Sequence, residues 1–241
     1  MRVFIAGASG AIGGKLVPLL LTAGHAVTGT TRSPAKAETL RAAGATAVVV
    51  DVFDAAALRE AVRAARPDVV VHQLTDLPRN LPPDRLADGL ARNARIRTEG
   101  TRNLVEAAVR AGTRRLVAQS IAWAYAPGPE PHSEEDPLDL GADGPRGVTV
   151  GGIAELERLV TSTPGLDGLV LRYGRWWGPE TGVESPPGGV SVHVDAAAWA
   201  AALAIDRGSP GLYNVVDGGG TAANARARRE LGWEPNFRLK G

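Results

Sequence analysis

The fold is decided by the first thirteen residues, Met1-Arg-Val-Phe-Ile-Ala-Gly-Ala-Ser-Gly-Ala-Ile-Gly13. Val3 to Ala6 form a short apolar run of β-forming residues, which is typical of a strand buried on both faces. Three glycines follow, and then an amphipathic run from Lys15 to Thr22. A strand that turns through glycines into a helix directs the free N–H groups and positive dipole end of that helix at one point. The pattern predicts a phosphate or pyrophosphate site, with a ligand-free βα turn as the alternative.

Composition narrows the classes of protein to consider. The chain has 241 residues and a formal net charge of +1, which gives no reason to expect a nucleic acid or a membrane surface as partner. It has no cysteine, which excludes disulfides and a cysteine nucleophile, and its four scattered histidines predict no metal site. With no signal-peptide pattern and no apolar stretch of membrane-spanning length, we expect a cytoplasmic monomer or homodimer that binds a small-molecule substrate.

Strand and helix patterns alternate along the chain, separated by turn residues. The predicted strands cover 3–6, 26–31, 47–50, 69–72, 115–119, 166–173 and 212–216. The predicted helices cover 15–22, 34–43, 55–65, 90–111, 150–161, 194–206 and 222–231, and Ser33 and Asp54 are expected to cap the second and third of them. Loops are predicted at 75–88, 127–147 and 178–189. This alternation predicts an α/β fold with a Rossmann-type, doubly wound parallel sheet.

Side chains at the predicted strand ends indicate which ligand the glycine turn holds. In this topology ligands bind beyond the C-terminal ends of the strands. The second strand ends in Arg32. An acidic residue at this position would bind a ribose 2′-hydroxyl, whereas the guanidinium of Arg32 suits a 2′-phosphate. Ser33 adds a hydroxyl and Lys36 a second cation, so the sequence predicts NADP(H), with a solvated helix start as the alternative. Asp51 could accept a hydrogen bond from the adenine amino group.

Each glycine of the turn has its own expected role. Gly7 permits the tight turn, Gly10 lets the backbone approach the ligand, and Gly13 lets helix and strand pack closely. The residues expected to bind the cofactor are Gly7, Ser9, Gly10, Ala11, Ile12, Gly13, Arg32, Ser33, Asp51, Val52, Leu74 and Thr75.

Short motifs spread over almost the whole chain carry a family resemblance. They are Gly7-Ala-Ser-Gly-Ala-Ile-Gly13, Val71-His-Gln-Leu74, Glu99-Gly-Thr-Arg-Asn-Leu-Val-Glu-Ala-Ala108, Arg115-Leu-Val-Ala-Gln-Ser120, Leu171-Arg-Tyr173, Trp177-Gly-Pro179, Val192-His-Val-Asp195, Tyr213-Asn214 and Glu230-Leu-Gly-Trp233. Together they resemble the short-chain dehydrogenase/reductase superfamily, and more narrowly its NAD-dependent epimerase/dehydratase branch. The resemblance implies a single NAD(P)-binding Rossmann domain over 1–241, with a small C-terminal substrate-binding portion formed mainly by 174–195 and 217–241. It implies structural roles for His72, Arg172, Trp177, His193, Asn214 and Trp233.

The chain departs from the proton relay that the resemblance would imply. Family members that act on carbinols use a tyrosine as acid and base, a lysine four residues later, and a Ser or Thr after the fifth strand. The alignment places Thr149, Ile153 and Ile121 at these positions, with Ser120 one residue before Ile121. The tyrosines of the chain are Tyr125, Tyr173 and Tyr213, and none has a lysine four residues later. An unassisted phenol, with a pKa near ~10, transfers protons poorly at neutral pH, so the usual relay is absent.

Three functions therefore stay open. The first is an NADP(H)-dependent oxidoreductase that acts on a small organic substrate, such as a secondary metabolite, through a non-standard proton relay. Its catalytic candidates are Ser120 and Tyr125, with His132 and Asp76 as further proton donors. An iminium or conjugated acceptor would lessen the need for a strong acid, whereas a plain ketone would not. The alternatives are a non-redox cyclase, lyase or isomerase on the same scaffold, and an NADP(H)-sensing regulatory protein without catalysis.

Three tryptophans are ambiguous in the sequence. Trp123, Trp176 and Trp177 could form the wall of an apolar aromatic pocket, or they could pack in the core.

Overall fold

The computed structural model describes residues 1–77 and 83–239. Its strands are β1 (Arg2–Ala6), β2 (Ala26–Thr31), β3 (Thr46–Val49), β4 (Val69–His72), β5 (Arg115–Ile121), β6 (Asp167–Tyr173), β7 (Arg175–Trp177), β8 (Ser191–His193) and β9 (Gly211–Val215). Its α-helices are α1 (Ala11–Thr22), α2 (Pro34–Ala42), α3 (Ala55–Ala65), α4 (Leu86–Arg95), α5 (Thr101–Arg110), α6 (Gly144–Thr161) and α7 (Val194–Leu203).

The main sheet is parallel throughout and has the order β3-β2-β1-β4-β5-β6-β9. β1 is hydrogen-bonded to β2 on one side and to β4 on the other, so the direction of winding reverses beside β1. At such a reversal the loops leave in opposite directions and open a crevice at the carboxyl ends of the strands. The predicted α/β, doubly wound parallel sheet is confirmed, and the glycine turn after β1 lies at the crevice.

The core lies on both faces of this sheet, because successive side chains of a strand point to opposite faces. On β1, Val3 and Ile5 belong to an apolar cluster that includes α1 and α7. Phe4 and Ala6 belong to a second cluster, which includes α3, α5 and α6. Burial of both faces explains why the first strand is a continuous apolar run in the sequence rather than an alternating one.

Two helices begin earlier in the structure than the sequence suggested. α1 begins at Ala11 rather than Lys15, since Gly10 is its N-cap and the small residues after it form the first turn. α6 begins at Gly144 rather than at 150, so the predicted loop at 127–147 is too long. Pro145, a loop signal in the sequence, lies in the first turn of α6, where its missing N–H costs nothing.

The predicted helix at 90–111 is a longer, composite helix. It begins at Leu86 and ends at Arg110, and a π-helical turn at Ile96–Gly100 separates α4 from α5. The predicted loop at 75–88 is therefore too long at its end, and its residues 78–82 lie outside the described part of the chain. π-helical turns insert one extra residue into a helix and occur frequently at functional sites.

The C-terminal part contains a feature that the sequence did not suggest. β7 and β8 form a separate two-stranded parallel sheet within residues 174–195. The final helix predicted at 222–231 is shorter and includes a π-helical turn at Ala227–Leu231. Trp233 is fully buried and donates its indole N–H to Ala196 O at 2.8 Å, which ties the end of the chain to α7. Residues 240 and 241 of the expected substrate portion lie outside the described residues.

Within the described residues, none of the helices has the length and apolar character needed to cross a membrane.

Candidate functional site

The glycine turn after β1 has little room on one side and an open surface on the other. Gly7 has a φ of +89°, and a Cβ there would lie 2.7 Å from Gln73 O. Gly13 is buried against the backbone of Gly7 and Ala8, which leaves no space for a side chain. Gly10 is exposed, and a Cβ on it would lie no closer than 3.4 Å to Gly7 O. The first N–H groups of α1 are thus accessible from the crevice.

A cavity of about 330 Å³ lies beside this turn, at the carboxyl ends of the first four strands. Of the residues expected to bind a cofactor, it is lined by Gly7, Ser9, Gly10, Arg32, Ser33, Asp51, Val52, Leu74 and Thr75. Ala11, Ile12 and Gly13 do not line it; Ile12 and Gly13 are buried in α1. Lys36 also lines the cavity, so the structure brings together both cations of the predicted 2′-phosphate site.

The corner around the end of β2 is ordered by short polar side chains. Thr31 Oγ1 accepts hydrogen bonds from Ser9 Oγ at 3.0 Å and from Ser33 N at 3.2 Å. Ser33 Oγ accepts from Lys36 N at 3.4 Å and so caps α2, as predicted. The Arg32 side chain is more than half exposed, which leaves its guanidinium accessible to a ligand.

Asp76 bridges two arginines at the mouth of this cavity. Its carboxylate lies 3.3 Å from Arg32 Nη2 and 3.5 Å from Arg92 Nε. Its backbone N–H donates to Asn93 Oδ1 at 3.0 Å. Asp76 therefore links the end of β2 to α4, and it neutralises part of the positive charge that a phosphate would meet.

The donors around the first cavity fit a dinucleotide. The open backbone at Gly10 and the N-terminus of α1 suit a pyrophosphate. Both polar side-chain atoms of Gln73, which lines the cavity, are buried without a hydrogen-bond partner among the described residues. An amide of this kind can donate to, or accept from, a ligand that occupies the cavity.

A second cavity, of about 190 Å³, lies next to the first. Thr75, three residues after the end of β4, lines both. Trp123 and Trp176 form aromatic walls of the second cavity. Trp177 does not line it; its indole N–H donates to Asp217 Oδ2 at 2.8 Å, in agreement with a structural role.

Ser120 lines the second cavity, but its hydroxyl is engaged. Its Oγ donates to Glu157 Oε1 at 2.6 Å. Arg172 donates to the same carboxylate, from Nε at 2.9 Å and Nη2 at 2.6 Å. All three side chains are buried, so the serine proton is directed at a paired carboxylate rather than into the cavity.

Tyr125 lines neither of these two cavities. Its hydroxyl donates to Asn214 Oδ1 at 2.6 Å and accepts from Arg172 Nη1 at 2.9 Å, and its ring stacks on His132. Burial raises the pKa of Tyr125, a change that the positive charge of Arg172 opposes. His132 Nδ1 is 3.1 Å from Asp136 Oδ2 in the same surface region. The geometry places both residues in a structural network that also holds Arg172 and Asn214.

Apolar side chains and a backbone contact occupy the aligned positions of the usual proton relay. Ile153 is fully buried in a cluster with Ile121, Ala124 and Val150. Thr149 Oγ1 donates to Pro145 O at 3.0 Å, one turn earlier in α6. None of these groups presents a proton donor to the second cavity, although Ile121 contributes to its wall.

The two histidines that the resemblance marked as structural are both buried. His72 Nε2 lies 2.9 Å from Thr101 Oγ1, and its Nδ1 accepts from Leu74 N at 3.2 Å. Burial lowers the pKa of His72 to about 4, so the ring is neutral at physiological pH. His193 Nδ1 accepts from Asp195 N at 3.2 Å and caps α7, and burial lowers its pKa as well.

Sequence reasoning missed four polar residues near the second cavity. Asn93, Arg97 and Gln119 line it, and Glu157 holds Ser120 beside it. Asn93 and Arg97 are four residues apart in a composite helix, so their spacing predicts a shared face. That signal was available, but the sequence did not show that this face points into a cavity.

Comparison with known proteins identifies the family of the chain. A sequence model of a family described as NAD(P)H-binding matches residues 7–145, which include the glycine turn and most of the first cavity. The chain belongs to this NAD(P)H-binding family and has the fold of short-chain dehydrogenases/reductases of the epimerase/dehydratase type.

The chain is also similar in sequence to one curated protein and in fold to two solved structures. The chain is 45% identical over 238 residues to a 3-diazoavenalumate denitrifying reductase from Streptomyces sp., covering 90% of this chain and 76% of the relative. Its fold matches that of UDP-glucose 4-epimerase from Thermotoga maritima, with a TM-score of 0.79 and 20% identity, over 99% of this chain and 94% of that one. It also matches UDP-glucose 4-epimerase from Thermus thermophilus in complex with NAD, with a TM-score of 0.79 and 21% identity, over 99% and 95% of the two chains. The protein is thus an NAD(P)-binding, reductase-type member of the family.

Proposed function

We propose that the protein is an NADPH-dependent reductase that acts on an aromatic diazo compound and releases its nitrogen. The observation that carries the proposal is the 45% identity, over most of both chains, to a reductase named for a diazo substrate and for denitrification. The sequence adds independent support, because none of its tyrosines has the lysine that a carbonyl reductase of this fold would use.

A diazonium acceptor removes the need for that relay. The first cavity, with the glycine turn and Arg32, would hold NADPH, which would supply a hydride. Transfer of that hydride to an arenediazonium ion would give the arene, dinitrogen and NADP⁺ with no proton consumed. A ketone would instead require a proton on its oxygen, and the hydroxyl of Ser120 is directed at Glu157. Trp123 and Trp176 supply apolar walls suited to a flat aromatic substrate.

The proposal predicts reduction of 3-diazoavenalumate, and of a simple arenediazonium ion, with stoichiometric oxidation of NADPH. The label in a ¹⁵N₂-diazo substrate should appear as dinitrogen gas in mass spectrometry, and deuterium from [4-²H]NADPH should appear in the arene. A reaction without protein sets the background rate.

A panel of ketones and aldehydes provides the contrast for this experiment, and we expect no NADPH oxidation with it. Turnover of the carbonyl panel without turnover of the diazo compounds would contradict the proposal.

We infer that the cofactor is NADP(H) rather than NAD(H). Arg32, Ser33 and Lys36 lie together on the first cavity, at the N-terminus of α2. Two cations, a hydroxyl and a helix N-terminus are the donors that a 2′-phosphate requires. A ribose 2′-hydroxyl would instead be matched by a carboxylate at the end of β2.

Replacing Arg32 with alanine should weaken NADPH binding by about 10- to 100-fold, because a hydrogen bond to a charged group contributes about 1.5–3 kcal/mol. NADH binding should change little. The matched control is Arg41→Ala, since Arg41 is an exposed arginine of α2 that pairs with Glu38 and does not line the cavity. Isothermal titration calorimetry measures the dissociation constants of NADPH and NADH for wild-type protein and both variants, and an equal loss for both nucleotides in Arg32→Ala would remove the 2′-phosphate assignment.

A further inference from the structure

We propose that Arg97 binds a carboxylate of the substrate in the second cavity, which makes the substrate an aromatic acid. The inference rests on the proposed function, because it takes the second cavity as the substrate site of a reductase. The inference assigns a binding residue to the substrate carboxylate, a group that reduction of the diazo function does not itself require.

The burial of Arg97 is the first observation. Its side chain lies on the π-helical turn and lines the second cavity, with a relative exposure of only 7%. Across residues 1–77 and 83–239 its guanidinium has neither a hydrogen-bond partner nor an ion-pair partner. A buried guanidinium of this kind is costly unless an anion completes it. Burial lowers the pKa of Arg97 to about 10, so the group remains positively charged at neutral pH.

The protein does not supply that anion from within the described residues. Glu157 is the carboxylate whose charge acts on Arg97. Its two oxygens, however, already receive two hydrogen bonds from Arg172 and one from Ser120. Glu157 is therefore already paired with Arg172, and it makes neither a hydrogen bond nor an ion pair with Arg97, whose guanidinium keeps its capacity for a ligand.

Asn93 provides a second, independent donor in the same cavity. Its Oδ1 accepts from Asp76 N, and only the oxygen of the amide can do so, which fixes the direction of the amide group. Its Nδ2 is then buried without a partner among the described residues. Asn93 lies one helical turn before Arg97, and both line the cavity. A guanidinium and an amide N–H that belong to two residues lining one cavity match the two oxygens of a carboxylate.

The aromatic walls and the charge of Arg97 together orient such a ligand. Trp123 and Trp176 border the cavity and suit a flat ring. Arg97 attracts the carboxylate and repels a cationic diazo group, since like charges in a poorly solvated site interact strongly. The diazo end would therefore point away from Arg97, towards Thr75, which lines both cavities.

The test measures binding of stable aromatic acids that carry no diazo group, by isothermal titration calorimetry in the presence of saturating NADP⁺. Wild-type protein should bind 4-hydroxycinnamate at least about tenfold more tightly than 4-hydroxycinnamamide. Arg97→Gln should remove that preference, and Arg97→Lys, which keeps the charge but loses the planar fork, should retain part of it. Arg102→Gln is the matched control, since Arg102 is exposed, pairs with Glu155 and lines neither cavity.

The outcomes separate this inference from the proposed function. Equal binding of acid and amide by wild-type protein, or an unchanged preference in a folded Arg97→Gln variant, overturns the carboxylate site even if diazo compounds are reduced. A preference that depends on Arg97 supports the site even if no diazo compound is turned over, in which case the proposed reaction is wrong. Thermal melting confirms folding of each variant, and Arg97→Lys still gives the comparison if Arg97→Gln does not fold.

Discussion

Residues buried beside the crevice link the stability of the protein to pH. His72 has no exposed surface, and burial lowers its pKa from the ordinary 6.5 to about 4. The folded state therefore favours the neutral ring, while the unfolded chain takes up a proton below pH 6.5. The stabilising contribution is complete above that pH and is lost as the pH falls towards 4. A difference of this size corresponds to about 3 kcal/mol.

We expect the free energy of unfolding of the wild-type protein to fall between pH 7 and pH 5, with a slope that approaches about 1.4 kcal/mol per pH unit for one proton. His72→Gln should show a shallower slope, and buried His193, whose pKa is also lowered, should account for part of the remainder. Urea unfolding followed by circular dichroism at pH 7, 6 and 5 measures the slopes. His25→Gln, at a partly exposed histidine before β2, serves as the control. Identical slopes for wild-type protein and His72→Gln would contradict the prediction.

At the same scale, the sequence predicted the residues of the first cavity better than those of the second. Gly7, Gly10 and Arg32 were predictable because their roles follow from chain order: a strand, a turn, a helix and the end of the next strand. The position of Arg97 in the second cavity depends on how a composite helix is turned, and the sequence pattern does not show the π-helical turn that sets this orientation. Ser120 was predicted as a catalytic residue from its place at the end of the predicted strand 115–119, and it is part of β5 in the structure; its partner Glu157 is 37 positions further along the chain.

At the scale of the element, the packing of α6 determines whether this fold can hold the tyrosine and lysine of the usual proton relay. Ile153 on this helix is fully buried in an apolar cluster, and Thr149 is bonded to the backbone one turn earlier. The part of α6 around Ile153 thus makes apolar contact with β5 and the loop after it.

The double replacement Thr149→Tyr with Ile153→Lys should lower the melting temperature and yield no carbonyl reductase activity. A lysine at position 153 would place an ammonium group among Ile121, Ala124 and Val150, which costs several kcal/mol. Differential scanning calorimetry and ketone-dependent NADPH oxidation measure the two effects. Gly151→Lys on the exposed side of the same helix, where a side chain meets open space, should not lower the melting temperature. A stable double variant that reduces ketones would show that the scaffold lacks only the relay.

The boundaries of the elements show where sequence reasoning is limited. Strands β2 and β4 and helix α3 were predicted at their observed bounds, because caps and turns mark both ends. The start of α6 was missed, since Gly144, Pro145 and Gly147 are residues that terminate helices elsewhere. Strands β7 and β8 are three residues each, too short for an alternating pattern to show.

At the scale of the whole molecule, the topology was predictable and the substrate region was not. Alternating strands and helices with short turns permit few arrangements, and the parallel sheet with its reversal beside β1 is the common one. In that arrangement ligands bind at the carboxyl ends of the strands beside the reversal, so the position of the cofactor cavity follows from the topology alone. The second cavity draws on α4, β5, β6 and β7, elements distant in the chain, so its shape follows from packing that no local pattern encodes.

The π-helical turn at Ile96–Gly100 divides the composite helix into two segments, α4 and α5, whose side chains can face different directions. Asn93 before the turn and Arg97 within it line the second cavity, whereas Leu104 and Ala108 beyond it are fully buried against the sheet. In an uninterrupted helix, turning one half would turn the other, and any change of specificity would disturb the core. In this protein the extra residue of the π-helical turn allows α4 and α5 to differ in rotation about the helix axis. Substitutions at positions such as 93 and 97 can therefore alter the cavity without turning the half that packs on the sheet.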